Sequence, residues 1–503
     1  MDLFNGACVH LSDIPVLSIT DFRAQIIASC GSDARLANFF GDGRGESGVV
    51  LFAVLAFDED SRIEALSTFI PAQEPRYESL TNELFQANLF EREIAEQWAV
   101  VPLNHPWLKP LRYHSNYRNV PDVWPDIAKR VIPGCYEFYA LGGEEVHEVG
   151  VGPVHAGIIE PGHFRFQCHG EEVFNLEIQL GYQHRGVESL MLAGDLKRNV
   201  LLSESIAGDT SIGHSIAFCE VVEALSGSFL TPRAQAIRAV ALELERLANH
   251  VGDLGALSMD AGFLPASAYM GRMRGDYLNL LLSLTGNRFG KGLCRPGGVL
   301  FDIDSAMADD FCKKLVRYKK DFDQVSELLF NEPSVMARFE GVGVVTAELA
   351  QKAGLVGPVA RASQLERDVR IDHACGIWQF HHVPISLSAT GDVYARALVR
   401  RQEVSRSLEF LLKIIPSLPK GDIFTKPGVM AKNSFALSLV EGFRGEIMHV
   451  GLTGNDGNFM RYKVKDPSFN NWPGLSFAMR NQEIFDFPLC NKSFGLSYCG
   501  HDL

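Results

Sequence analysis

Ala236-Ile-Arg-Ala-Val-Ala-Leu-Glu-Leu-Glu-Arg-Leu-Ala-Asn-His-Val-Gly-Asp-Leu-Gly-Ala-Leu-Ser-Met259 reads as one continuous helix. Its apolar residues recur at helical spacing, and ~24 residues at ~1.5 Å each give a rod of roughly 36 Å. Helical patterns return at 269–285, 304–328, 347–352 and 393–415, so helices dominate from residue 188 onward. Upstream of them the period changes. Residues 150–159, 164–169 and 173–180 are β-like, with Gly170-Glu171 as a turn, and predict a small antiparallel sheet. Sheet patterns return at 445–452 and 460–464.

Earlier still, Gly48-Val-Val-Leu-Phe-Ala-Val-Leu-Ala-Phe57, the turn signal Asp58-Glu59-Asp60 and the run 63–70 predict a hairpin. A helical pattern over 80–96 follows. Pro121, Pro125, Pro133 and Gly134 break regular structure over 116–143. The predicted class is α+β. A small α/β domain occupies 1–115, with its clearest part from about residue 45, and a linker occupies 116–145. Residues 146–503 form a mainly helical bundle with a small antiparallel β-domain and more sheet near the end.

Lys plus Arg is 47 and Asp plus Glu is 61, a net charge of −14. That argues against a nucleic-acid-binding surface, which needs a basic face. Met1-Asp2-Leu3-Phe4 lacks the positive start of an export signal, and Asp13 interrupts the apolar run behind it. No stretch of about 18 apolar residues occurs. The expected location is the cytoplasmic side of a membrane, reached through partner subunits. The ten cysteines include no Cys-x-x-Cys, and the closest two are Cys490 and Cys499. Local thiolate chelation of that kind is excluded, and isolated cysteines are ordinarily small buried apolar residues. No Gly-x-Gly-x-x-Gly lies between a strand and a helix, which argues against direct NAD binding.

Gly181-Tyr-Gln-His-Arg-Gly-Val-Glu188 is followed by Ser203-Glu-Ser-Ile-Ala-Gly-Asp-Thr-Ser-Ile-Gly-His-Ser215. Around them stand Gly152-Pro-Val-His155, Glu243-Leu-Glu-Arg-Leu-Ala-Asn-His250, Arg295-Pro-Gly-Gly-Val299, Glu441-Gly-Phe-Arg-Gly-Glu446 and Arg461-Tyr-Lys-Val-Lys-Asp-Pro-Ser-Phe469. In this order they resemble the large subunit of the group 4 membrane-bound nickel–iron hydrogenases, formate hydrogenlyase among them. They also resemble the homologous large core subunit of respiratory complex I. Residues 79–89, Glu91-Arg-Glu93 and His105-Pro106 resemble the small α/β subunit that lies beside it in complex I, fused here into one chain.

In the hydrogenases the second segment carries a Cys-x-x-Cys pair that binds nickel and iron. Those places here hold Ala207 and Thr210, and Asp466-Pro467 is followed by Ser468-Phe-Asn-Asn471 where the second pair belongs. A soft centre of that kind needs thiolates. With all four gone, the resemblance points to the energy-converting hydrogenase-related complexes. Complex I supplies a metal-free precedent, a cavity that holds a quinone head group between a tyrosine and a histidine. The tyrosine place falls at Gly208, and 158–162 stand between the Gly-Pro-x-His turn and His163.

The resemblance implies a polar cavity lined by His155, His163, His184, Arg185, Glu188, Glu204, Asp209, Thr210 and His214. His184, Asp209, Glu188 and His214 are the candidate catalytic residues, because burial and neighbouring charges tune such groups for proton transfer. His155, His163, Arg185 and Thr210 are the candidate cofactor-binding residues. No metal ligand is assigned and no cofactor is bound by the chain itself, with a quinone as the candidate ligand. In the other reading, His184, Arg185 and Glu188 form a structural ion-pair cluster. Glu245, Arg246, His250 and Asp253 are either ordinary helix pairs or part of a proton path. The implied partners are an iron–sulfur small subunit and antiporter-like membrane subunits. Three functions stand. They are oxidoreduction of a quinone or another small acceptor coupled to proton or ion translocation, non-redox coupling over a decayed site, and metal chemistry on a changed His, Asp and Cys499 set.

Overall fold

The computed structural model describes residues 1–43, 45–124, 136–157 and 159–503. The strand Gly48–Phe57 pairs antiparallel with Arg62–Pro71, Gly48 opposite Pro71 and Phe57 opposite Arg62, as the hairpin reading expects. The same sheet extends beyond that reading. Strand Ala34–Gly43 flanks it, preceded by helix Ile19–Ser32. The middle strand is apolar at nearly every position because both its faces are buried. Leu51, Ala53 and Leu55 pack with Phe22, Phe90 and Ile94 under helices Ile19–Ser32 and Asn88–Trp98. Phe52, Val54 and Ala56 pack against Phe435, Leu437 and Val450 of the C-terminal sheet.

The helical pattern over 80–96 becomes a helix only at Asn88, after a 3-10 turn at Phe85–Ala87. The reason is tertiary. The buried Glu91 carboxylate accepts from the Leu80 N–H (2.8 Å) and from the hydroxyls of Ser79 and Thr81 (both 2.6 Å), which fixes the preceding residues as a turn.

The small sheet holds Val146–Val151, His163–His169 and Glu172–Gln179, with Gln482–Glu483 as a fourth strand. Its first strand stops at Val151, short of the expected 159, because Gly152 takes φ +87° and Pro153 lacks an N–H. Residue 158 of that expected strand lies outside the described residues, as do 125–135 of the linker, with Pro125, Pro133 and Gly134. The described parts of the linker hold no helix or strand.

The central helix runs Pro232–Asp260, longer at its start than the periodicity indicates. Thr231 caps it by accepting from the Ala234 N–H, with Pro232 in the first turn. Helices Ser211–Ser226, Leu264–Thr285 and Val393–Ile414 pack against it, with Ser305–Phe330 laid on the latter two, over a core that includes Leu247, Val251, Leu281, Phe322 and Leu411. The C-terminal sheet is a meander of Ser434–Gly442, Gly445–Thr453 and Phe459–Lys465, and Cys8–His10 pairs with its edge. Its first strand was not anticipated. Among the described residues no helix is long and apolar enough to cross a membrane.

Candidate functional site

Three stretches meet at one place: the loop 181–186, the residues before helix Ser211–Ser226, and the chain from 495 to 503. Gly181 has φ +99°, and a Cβ there would stand 3.1 Å from the Arg112 backbone, so the close approach needs glycine. The buried Asp502 carboxylate then fixes the loop, accepting from the N–H groups of Gly181 (2.8 Å) and Gln183 (2.9 Å). The Leu503 backbone oxygen accepts from Arg185 N–H (2.8 Å) and Gly186 N–H (3.0 Å). The Arg185 guanidinium donates to the carbonyls of Ser205 (2.5 Å), Ile206 (2.8 Å) and Cys499 (3.2 Å). It clamps the three stretches together.

At the centre Asp209 faces Arg444. Arg444 occupies the two-residue turn between the paired Gly442 and Gly445, which aims its side chain away from the sheet. Its Nη1 and Nη2 donate to the two Asp209 oxygens at 2.6 and 2.8 Å, and Nη1 also reaches Thr210 Oγ1 at 3.1 Å. Its Nε donates to the Gly495 carbonyl at 2.5 Å. Burial raises the Asp209 carboxyl, but the Arg444 guanidinium outweighs it and holds the group below the usual carboxylate range. About a third of the Asp209 side chain (34%) stays accessible, so the carboxylate side of the pair reaches solvent.

Behind the pair, His214 Nε2 bonds Asp466 Oδ2 at 3.0 Å, and His214 Nδ1 meets His449 Nε2 at 3.0 Å. Glu245 reaches from the central helix and accepts from the N–H groups of Ile212 (2.7 Å) and Gly213 (3.2 Å). Burial pushes the Glu245 carboxyl up to about 8, more than these bonds lower it. Its contribution to stability is therefore full below its unfolded value and fades as pH rises through about 8. Glu245→Gln removes that titration. The melting temperature of the variant should fall less between pH 5.5 and pH 8.5 than that of the parent, and equal slopes would refute the assignment.

The other candidates go elsewhere. Glu188 bonds Arg461 Nη1 (2.9 Å), Lys463 Nζ (3.1 Å) and the Val464 N–H (3.0 Å), beside Glu93 and Gln97 of the N-terminal helix. These charges lock the N-terminal domain to the C-terminal sheet. Lys463 and Arg461 hold the Glu188 carboxyl well below the usual range despite full burial. So His184, Arg185 and Glu188 do not form one cluster. His184 stacks on His114 (4.6 Å between centroids) and its Nδ1 bonds the Asp502 carbonyl at 2.8 Å. Burial, with His114 and Arg112 nearby, pulls its imidazole down to about 4. His155 Nε2 bonds the Gly162 carbonyl (2.8 Å) and His163 Nδ1 the Gly152 carbonyl (3.1 Å), so both close the 152–163 turn. Glu204 accepts from the Gly292 N–H at 2.6 Å. On the central helix, Arg246 does pair with Glu243 (3.2 Å), but His250 reaches Glu403 (2.8 Å) and Asp253 reaches Arg400 (3.0 Å).

Nickel and iron do not fit this donor set. Ala207 offers no donor, and the Thr210 hydroxyl is engaged by Asp209 and Arg444. Ser468 Oγ accepts from the Ser497 N–H (2.8 Å), and Asn471 is bonded twice to the Val356 backbone (both 3.0 Å). Among the described residues, no three His, Cys, Asp or Glu side chains are grouped to hold a metal ion.

Residues 260–434 match the family model described as the respiratory-chain NADH dehydrogenase 49 kDa subunit, and residues 20–122 the one described as its 30 kDa subunit. The chain is 30% identical over 448 residues to formate hydrogenlyase subunit 5 of Escherichia coli, covering 85% of this chain and 77% of that one. It is 30% identical over 348 residues to the carbon monoxide-induced hydrogenase of Rhodospirillum rubrum, covering 69% and 96%. To NADH-quinone oxidoreductase subunit 4 of Thermus thermophilus it is 29% identical over 371 residues, covering 68% and 90%.

Proposed function

We propose that this chain, which belongs to the family uniting complex I 49 kDa-type subunits with the large subunits of formate hydrogenlyase and related hydrogenases, couples electron transfer to ion movement without a nickel–iron centre. It is a hydrogenase-large-subunit-like component of a complex I-like membrane complex, with a 30 kDa-type domain fused ahead of it. In the proposal, electrons come from an iron–sulfur cluster of a small subunit and pass to a quinone or another small acceptor at the Asp209–Arg444 pair. Antiporter-like membrane subunits move the proton or ion, and this chain sits peripherally on the cytoplasmic side.

The observation that carries the reading is the Asp209–Arg444 pair at the place of a thiolate pair, backed by His214 and Asp466. A quinone needs protons with its electrons; the Arg444 guanidinium can donate hydrogen bonds to its oxygens, and the Asp209 carboxylate can take up a proton and pass it on. The intact complex, purified from its membrane, is expected to contain iron–sulfur clusters and to reduce a short-chain quinone analogue. A complex with clusters but no acceptor reduction would sink the proposal. The same preparation, made with nickel in the medium, should carry nickel far below one atom per chain. Stoichiometric nickel by mass spectrometry would refute that.

A second reading, a non-redox coupling subunit over a decayed site, is favoured by the closed bonding at the former thiolate places, where the Thr210 hydroxyl is engaged by Asp209 and Arg444 and Ser468 Oγ by the Ser497 N–H. A complex without clusters that still moves ions would favour it.

A further inference from the structure

Beside the second half of helix Ser211–Ser226, away from the Asp209–Arg444 pair, lies a cavity of about 420 Å3 open to solvent. That is a size usual for small-molecule sites. Leu230, Leu242, Ile377, Trp378 and Leu439 give it an apolar wall, and the largely exposed Phe229 stands at its edge.

The charged groups of that wall are paired, with one exception. Glu223 holds Arg238 (2.7 Å), Arg370 holds Asp368 (2.7 Å) and Glu441 holds Arg361 (2.8 Å). Glu220 has no ion-pair partner among the described residues. Its Oε2 accepts from Ser438 Oγ at 2.5 Å, and its Oε1 accepts from no described residue. Two more acceptors on the wall are unfilled. His373 is almost fully buried, and its Nε2–H donates to the Asp58 carboxylate (3.0 Å), which leaves Nδ1 as an acceptor without a partner. Gln235 Nε2 donates to the Leu230 carbonyl (3.1 Å), which leaves Oε1 as an acceptor. The chain at Cys375-Gly376 joins these groups. A Cβ on Gly376 would stand 3.4 Å from Gln235 Oε1. Burial, with Glu220 next in effect, pushes the Cys375 thiol up to about 12, so it stays uncharged. Arg238 Nε is an unfilled donor, but that cation is already matched by Glu223.

An apolar cavity whose unmatched groups are one carboxyl and two neutral acceptors suits a ligand that brings N–H donors and one positive charge on an apolar body. We infer that this cavity binds a small organic monocation, an amine or guanidinium compound, with its head on Glu220 and its body along Leu230, Leu242 and Trp378. A bare metal ion fits less well, since it needs several charged or polar ligands at once, and no such group of three occurs among the described residues. Burial raises the Glu220 carboxyl to about 7, more than the Ser438 hydroxyl and Arg238 lower it. Its ionised form therefore grows as pH rises through 7, while an alkylamine stays protonated there. The site stands whether or not the complex is redox-active.

Calorimetric titration of the full chain checks it. Phenethylamine should bind, phenethyl alcohol should bind roughly 30-fold more weakly for want of the charge, and phenylacetate should not bind. The affinity for the amine should rise by roughly tenfold from pH 6 to pH 8. Glu220→Gln should weaken the amine by roughly the same 30-fold and abolish the rise. If that variant melts early, the three ligands and the two pH values decide the matter in the parent. No binding of the amine, or equal binding of amine and alcohol, overturns the site. So does a rise with pH that survives in folded Glu220→Gln, which would place the charge on His373 instead.

Discussion

Arg361→Leu is expected to cost the chain a large part of its stability. The Arg361 guanidinium is fully buried, with Nε on Glu403 Oε1 (2.9 Å), Nη1 on Glu441 Oε1 (2.8 Å) and on the Arg367 carbonyl (2.6 Å). Glu403 also takes His250 Nε2 at 2.8 Å, which ties in the central helix. One cation thus joins helix Gly357–Ala362, helix Val393–Ile414 and strand Ser434–Gly442. Such a network is weak evidence of net stabilisation, since a well-packed apolar substitute for the whole set can serve as well. Removing one member differs, because it strands the others. Breaking a buried pair costs about 3–5 kcal/mol, against a total of about 5–15 kcal/mol for a typical domain.

The effect should depend on pH in a fixed direction. Burial already raises the Glu441 carboxyl to about 7, more than Arg361 lowers it. Without Arg361 it rises further, and the folded state then favours the protonated acid. The deficit of the variant should therefore be smaller at pH 5.5, where Glu441 can stay neutral, and larger at pH 8.5. Arg361→Lys keeps the charge but loses the planar fork and should fall between. Thermal melts at both pH values check this. A leucine variant that melts with the parent would mean that the network is not what holds these elements together.

The legible parts of this fold are those set by local period. The central helix and the hairpin at 48–57 could be read because each repeats its pattern over many residues. The continuous apolar run of Gly48–Phe57 also signalled burial on both faces. It could not say that the second face is covered by Phe435, Leu437 and Val450, nearly four hundred residues on. The start of the Asn88–Trp98 helix was misread for the same reason, as Glu91 acts through folded contacts with Ser79 to Thr81.

The site divides in the same way. Asp209, Thr210 and His214 could be picked from their motif. Arg444 and Asp466 stood in recognised motifs without a role, because a bidentate pair across 235 residues has no local signature. His449 sits in a strand whose residues are all buried, where a histidine looks like any core residue. Glu188 was placed near His184 by sequence proximity, yet the helix that begins at Val187 turns it toward Arg461 and Lys463.

Those placements separate two residues that the sequence joined. Asp209→Asn is expected to lower coupled turnover of the assembled complex by roughly 100-fold, the scale of losing a positioned proton-transfer or charge-holding group. Asparagine keeps the shape and one acceptor for Arg444 but removes the charge. The chain should melt little changed, since Arg444 keeps the asparagine oxygen and the Gly495 carbonyl as acceptors. His184→Gln should behave in the opposite sense. Its imidazole, pulled down to about 4, is neutral at working pH and does not take up a second proton there. It instead stacks on His114 and bonds the Asp502 carbonyl, which holds the 181–186 loop against the end of the chain. Its loss should lower the melting temperature and leave turnover nearly intact in complexes that assemble. Both variants are to be measured for turnover and melting in the same preparation. If Asp209→Asn turns over normally, the Asp209–Arg444 pair only fastens the Arg444 turn to the helix start, and the chemistry of the complex lies away from this pair.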